Sequence, residues 1–469
     1  MRQPGPLTTR AFATLPSSSA LAEAGGAGGS SLLQSLVAQE QSLQSLFRGE
    51  WPTAEPPEFV LSRPALRPSA CDVDVDVAVC GGTLGILVGC ALQLRGHRVA
   101  VVEAGPLRGR AQDWNTSQEE LRRLVSAGLL TEEELHRVAP LRFGPMRCKF
   151  GATPASELQL RGVLDVAVSP TALLEAVSAR FKAAGGLVLE NSPVREVRIH
   201  PDGAALALGQ GGAGQGRTLH SRLVVDAMGH RSPLALQARR GQRPDGVCVQ
   251  VGSCARGAWA RQWRGRGDFF VTEDDAQYCG PRRCARAQLF WQSFPSSGGE
   301  EERSTYLFTY LRPGCREVSW SLLGLLELME EYWSRLPAYQ RCGEADEVAL
   351  RRILFGWFPT YRSNSPLKPA FDRVLSVGDA SAVQSPISFG GFCAMLRHLP
   401  RYSRGIDAAL RQETPRPRQP LGRPRPISSR RYPLSSADRR VRTASPAPSS
   451  PGSRPTSPTW ARHGCRRRR

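Results

Sequence analysis

Along the middle of the chain, apolar positions switch repeatedly between the two-residue period of a strand and the wider period of a helix. Residues 73–79 are β-branched with Asp at alternate positions, which predicts a strand. The spacing then predicts a helix over 84–94, ended by Gly96, and a second strand over 98–103. A further helix is predicted over 171–184, where Leu173, Leu174, Val177 and Phe181 share one face and Gly185-Gly186 ends it. Strands follow at 187–190, 194–199, 204–208 and 223–225, with a hairpin loop expected over the glycine-rich 209–216 and an exposed polar loop over 296–303. Alternation of this kind is the signature of an α/β chain.

The two ends read differently. Residues 1–70 have no strong period, although Leu32, Leu33, Leu36, Leu43 and Leu46 recur at near-helical spacing within 31–47. The first acid is Glu23, after Arg2 and Arg10, and no apolar signal core follows. That composition fits an organelle transit peptide with a linker and equally a plain extension. Residues 412–469 are rich in Arg, Pro and Ser and are expected to be disordered, because so few apolar groups cannot offset the ordering entropy.

Charge follows this division. Of the formal +20, residues 414–469 supply +14, leaving the body only mildly basic. A nucleic-acid function would therefore have to live in the tail. The twelve cysteines include no C-x-x-C pair, and no apolar run is long enough to cross a bilayer. Reduced, buried thiols and no metal centre are expected.

Candidate chemistry is concentrated in the run Val-Asp-Val-Ala-Val-Cys-Gly-Gly-Thr-Leu-Gly at 75–85. A dinucleotide-binding unit needs a strand, a tight glycine turn and a helix whose N–H groups face a pyrophosphate. The three glycine positions of that fingerprint fall on Cys80, Gly82 and Gly85, with Gly81 between them. Glu103 ends the second strand where a carboxylate reaches a ribose hydroxyl. A structural glycine turn is the alternative.

Two more segments carry a resemblance. Leu-Val-Val-Asp-Ala-Met-Gly-His-Arg-Ser at 223–232 resembles the strand-to-turn motif of FAD-dependent hydroxylases. The stretch 375–391, with Gly378-Asp379, Pro386 and Gly390-Gly391, resembles the motif that binds the flavin ribityl chain. With Gly109-Arg110, Trp114-Asn115 and 358–362, the region resembles a plant, algal and cyanobacterial family of FAD/NAD(P)-binding oxidoreductases. That family is related to lycopene cyclases, geranylgeranyl reductases and FAD-dependent monooxygenases.

The resemblance implies a glutathione-reductase-type FAD-binding Rossmann-like fold over 71–411, with a β-rich substrate lobe inserted at about 233–355. It implies FAD bound by Cys80, Gly81, Gly82, Gly85, Glu103, Arg110, Gly378, Asp379, Pro386, Gly390 and Gly391, with NADPH or NADH as reductant. The expected substrate is an apolar, aromatic or isoprenoid small molecule. The expected location is the chloroplast, with the cytoplasm as alternative. Peripheral membrane contact is allowed; specific nucleic-acid binding and a transmembrane segment are not expected. Cys80 stands where the family has glycine, and the likeness ends near Leu410, which leaves a genuine tail and an interrupted reading frame both open. His230, His398, Tyr361, Arg362 and Cys393 read as structural side chains, and no catalytic constellation is visible. The alternatives in function are a non-redox flavoprotein cyclase or isomerase, an inactive truncated flavoprotein, and a basic scaffold acting through its tail.

Overall fold

Strand Val75–Cys80 organises the first half of the molecule because both of its faces are buried. Val77 and Val79 meet helix side chains on one side, while Ala78 and Cys80 join a second cluster on the other. In the computed structural model of the chain, the described residues are 3–15, 29–50, 58–64, 74–109, 111–151, 157–209, 216–263, 265–271, 288–313, 324–343, 347–361, 367–382 and 391–412. The chain divides into two units, 1–424 and 425–469, and every described residue lies in the first. The expectations placed on Arg110, Pro386, Gly390, Arg362 and residues 413–469 lie outside the described residues.

Five parallel strands lie side by side in the order Leu187–Leu189, Val99–Val102, Val75–Cys80, Arg217–Asp226, Val374–Ser376. Helices Gly82–Gln93, Pro170–Ala183 and Gly391–Gln412 contribute to one shared core with them. The opposite face, with Ala78, Cys80, Ala100 and Val102, is buried against the antiparallel strands and Leu234, and burial on both faces is what lets parallel strands read as continuous apolar runs. The predicted helix at 171–184 forms with its four expected residues buried, and Ser169 accepts from the Ala172 N–H at 3.3 Å as its cap. Arg217–Asp226 pairs with Val75–Cys80 and is also long enough to serve two further partners, Gly203–Leu208 in its first half and Val374–Ser376 at its end. Its first half pairs antiparallel with Gly203–Leu208, closing the expected hairpin at Leu208 and Arg217; that strand pairs in turn with Val194–His200.

A second, seven-stranded sheet runs in the order Ala349–Thr360, Gly246–Arg256, Gly299–Leu311, Phe290–Ser296, Gly267–Val271, Met146–Phe150, Glu157–Leu160. This lobe is therefore not one insertion at about 233–355, since two of its strands precede that span. Helices Leu325–Gln340, Gly29–Arg48 and Pro6–Ala13 pack into its core, around Leu36, Leu43, Leu46, Trp291 and Tyr332.

Residues 1–70, expected to form an N-terminal leader and linker with a helical leucine repeat at 31–47, thus supply two helices and the strand Val60–Ser62, which pairs with Val194–His200. The leucine repeat within 31–47 is the reason: its apolar face had to be buried, and the second sheet buries it. The expected exposed loop at 296–303 is also corrected. Strands Phe290–Ser296 and Gly299–Leu311 meet at a two-residue turn, and Glu302 and Arg303 are buried. Polar sequence misleads here because each group is satisfied internally. Glu302 accepts from Ser296 Oγ at 2.9 Å, and the Arg303 guanidinium donates to the carbonyls of Trp263 and Arg266, each at 3.1 Å.

Candidate functional site

The parallel strands end level with one another: Cys80 is opposite Asp226, and Asp226 is opposite Ser376. Ranked by their place in the chain, the five parallel strands run third, second, first, fourth, fifth. The direction of winding therefore reverses between Val75–Cys80 and Arg217–Asp226. In an open parallel sheet a crevice forms beyond the carboxyl ends of the strands at such a reversal.

Gly81 lies at that crevice with φ of 93°. A Cβ there would also come within 2.6 Å of the Ala227 carbonyl oxygen, so no side chain fits on either ground. Cys80 remains in the extended strand, and its carbonyl accepts the Ala227 N–H at 2.8 Å. The left-handed conformation falls on the next residue, which is why cysteine is accommodated at the first fingerprint position. Burial, and then the Asp226 charge, pushes the Cys80 thiol far above its ordinary range, making it a packing group.

Gly82 opens the helix, and its N–H donates to Glu103 Oε2 at 2.6 Å; the Ala104 N–H donates to Glu103 Oε1 at 2.8 Å. Each carboxylate oxygen keeps a second lone pair for a hydroxyl. A Cβ on Gly85 would stand 2.7 Å from Val79 Cγ1, so this glycine lets the helix lie directly on the strand. The helix N-terminus therefore faces the crevice with no side chain in its first turn larger than Thr83 and Leu84.

Asp226, missed as a site residue in the sequence, joins the two halves of the crevice. It is fully buried and accepts from Ser232 Oγ at 2.6 Å and from the Met228 N–H at 3.1 Å. Burial raises its pKa to about 6, with the Ser232, Met228 and Ser376 hydrogen bonds acting in the opposite direction. Its own carbonyl accepts the Val377 N–H at 2.8 Å, which leads directly into Gly378 (φ 58°) and Asp379. A Cβ on Gly391 would lie 3.1 Å from Asp379 Oδ1, so this carboxylate sits at the start of helix Gly391–Gln412.

The fold thus brings the turn at Cys80–Gly82, Gly85 of the following helix and Glu103 at the end of the next strand together, and places Gly378 and Asp379 in the turn after strand Val374–Ser376, with Gly391 opening the last helix. The signal for Asp226 was present in the sequence, since Asp-x-x-Gly after an apolar strand marks a turn whose carboxylate bonds its own backbone.

The loop after Asp226 reaches the second lobe. The His230 ring packs against Trp357 and Phe358, with centroids at 6.0 and 5.7 Å, and the Arg231 guanidinium lies 5.3 Å above the Trp357 ring. Burial, then the neighbouring Arg231, lowers the His230 pKa to about 4, so the ring is neutral at pH 7. Its Nε2 has no hydrogen-bond partner among the described residues. Tyr361 lies under the Arg239 guanidinium at 3.5 Å, and Cys393 is buried and donates to the Asn115 carbonyl at 3.3 Å; both are packing roles. His398 is half-buried beside Tyr402.

In the seven-stranded sheet, alternation turns Trp291 and Leu307 towards the covering helices and Phe290 and Phe308 the other way. Phe290 stacks on Phe308 at 5.1 Å and meets Tyr310 edge-on at 5.4 Å. Segment 111–113 binds this same face. Gln112 Nε2 donates to Ser304 Oγ at 2.7 Å and Tyr306 Oη at 2.8 Å, and Asp113 accepts from Ser297 Oγ at 2.6 Å and the Ser297 N–H at 2.7 Å. No local pattern pointed to Gln112 or Tyr306, because their pairing spans more than 190 positions.

No family model matches the chain, and no curated protein matches its sequence. Solved structures do match. A geranylgeranyl bacteriochlorophyll reductase-like protein from Thermoplasma acidophilum has a TM-score of 0.53 at 14% identity, over 75% of this chain and 80% of that one. Halogenase PltM in complex with phloroglucinol and FAD has a TM-score of 0.51 at 14% identity, over 72% and 70%. A flavoprotein/dehydrogenase from Cytophaga hutchinsonii has a TM-score of 0.51 at 14% identity, over 72% and 79%. The chain therefore has the α/β fold of these proteins, the fold that holds FAD in halogenase PltM.

Proposed function

We propose that the chain is an FAD-dependent oxidoreductase acting on an apolar or aromatic small molecule. One observation carries the reading: the glycine turn at Gly81–Gly82, the Glu103 carboxylate and the Gly378-Asp379 turn lie together at the reversal of strand order. FAD fits these residues. Glu103 has lone pairs to spare for the adenosine ribose, and the N-terminus of helix Gly82–Gln93 offers backbone N–H groups to the pyrophosphate at a place where Gly81 tolerates no Cβ. Asp379, at the start of helix Gly391–Gln412, is the acceptor for the ribityl chain. The antiparallel strands added to the fourth parallel strand favour the glutathione-reductase type of this fold.

When bound, FAD supplies the electron or hydride chemistry. The chain contributes binding, orientation and exclusion of water. Neutral His230 offers one ring nitrogen to a polar group, and Gln112 holds Tyr306 Oη in place. The aromatic face of Phe290, Phe308 and Tyr310 supports an apolar or aromatic substrate. That halogenase PltM was solved with phloroglucinol is consistent with this reading.

The test is the visible spectrum of the purified protein after reconstitution with FAD, followed by anaerobic reduction with NADH and NADPH in turn. Flavin absorbance that bleaches with either nucleotide is expected. No retained flavin would overturn the proposal, and flavin that neither nucleotide reduces would leave the binding and reject the nucleotide as reductant.

A further inference from the structure

The seven-stranded sheet ends at Glu157–Leu160. This strand pairs with Met146–Phe150 on one side, and no described strand pairs with its other edge. All four of its residues are exposed. A free edge presents unpaired N–H and C=O groups, and proteins usually guard it with Lys, Pro, a bulge or a covering element. This edge carries leucines instead: Leu158 is 52% exposed and Leu160 38%, beside Phe150 at 50%. Leu158 stands opposite Cys148 and Leu160 opposite Met146, so the two leucines and Phe150 share one face of the sheet.

We propose that this edge pairs with the same edge of a second copy of the chain, antiparallel about a twofold axis through Gln159, so that two seven-stranded sheets become one. Strand Glu157–Leu160, together with Arg161 immediately after it, is its own complement in that register. Leu158 meets the partner's Leu160, and Glu157 meets the partner's Arg161, each pair occurring twice by symmetry. A shift of two residues either way sets Gln159 against Glu157 or against Arg161 and loses the ion pairs. A shift of one turns the leucines to opposite faces. Only the axis through Gln159 matches charge and apolar surface together. Pairing also sets Leu158 and Leu160 beside their counterparts, which reduces the apolar margin that they form with Phe150 on the single chain. The complementary charges of Glu157 and Arg161, on the face opposite the leucines, favour a second copy over a membrane surface. The inference is independent of the flavin reading.

Charge reversal tests it. Sedimentation velocity of the full chain over a range of about 1–100 μM, the span in which a small interface associates, should show a dimer. E157R brings like charges together twice, and so does R161E; each is expected to raise the dissociation constant at least tenfold. The double variant E157R/R161E recreates the complement with the charges exchanged and should restore the dimer. Glu157 lies 3.9 Å from Arg147 Nη1, so far-ultraviolet circular dichroism of each variant confirms folding before the comparison. A wild-type chain that stays monomeric overturns the proposal, as does a dimer indifferent to both single reversals or a double variant that fails to recover. If the monomeric chain instead co-sediments with phosphatidylserine vesicles and L158K abolishes this, the edge belongs to a membrane and the proposal is rejected.

Discussion

Replacing Asp226 by Asn isolates the electrostatic cost built into the centre of the crevice. The native pKa of about 6 stands roughly two units above the ordinary 3.8, because burial disfavours the carboxylate more than its hydrogen bonds favour it. A raised native pKa means that the folded state prefers the proton. Asp226 therefore contributes its full stability below pH 3.8 and loses it as the pH rises through about 6. At about 1.4 kcal/mol per unit, the loss amounts to roughly 3 kcal/mol by neutral pH. The amide of Asp226→Asn does not titrate and carries no such cost. It would also lose one acceptor of the Ser232 and Met228 bonds, an offset of about 1 kcal/mol that does not vary with pH. Urea unfolding of both proteins in the same ligand state, from pH 4 to 7.5, measures the difference between them. The variant is expected to gain on the wild type by about 2.4 kcal/mol across that range, most steeply between pH 4 and 6. A difference that stays flat to within about 0.5 kcal/mol would show that Asp226 ionises in the folded state as it does in the unfolded one.

Gly81→Ala forces a side chain into a left-handed turn and against the Ala227 carbonyl; lower stability and little flavin after reconstitution are expected, read by thermal unfolding and the visible spectrum. Glu103→Ala removes the acceptor of the Gly82 N–H and a charge-assisted bond of about 1.5–3 kcal/mol, so the dissociation constant for FAD should rise ten- to hundredfold by fluorescence titration. Leu43→Ala, at a fully buried position of helix Gly29–Arg48, should cost about 2–5 kcal/mol in urea unfolding; a surface-like cost under about 0.5 kcal/mol would show that this helix does not dock on the second lobe.

Local and periodic features were legible before any fold was known. A β-branched strand, a glycine turn and a helix within twenty residues are specified by neighbours in the chain, so the turn at Gly81–Gly85 and the helix Pro170–Ala183 could be read directly. Cys80 fell on the first glycine position of that turn, and only the backbone shows that it stays in the strand and that Gly81 carries the left-handed angle. The leucine repeat within 31–47 likewise announced a helix with one face to hide. Periodicity states that a face must be buried and is silent about what buries it.

Tertiary structure decided the rest, through groups far apart in the chain. Glu40 accepts the Leu325 N–H at 2.6 Å and so caps a helix 285 residues away, while Glu330 accepts the N–H groups of Leu7 and Thr8, each at 3.0 Å. These two carboxylates tie the N-terminal helices to helix Leu325–Gln340, and each looks like an ordinary surface acid in the sequence. Buried Glu302 and Arg303 were misread as an exposed loop for the same reason. A polar side chain declares its need for a partner but not the partner's place, and only the folded chain brings the two together.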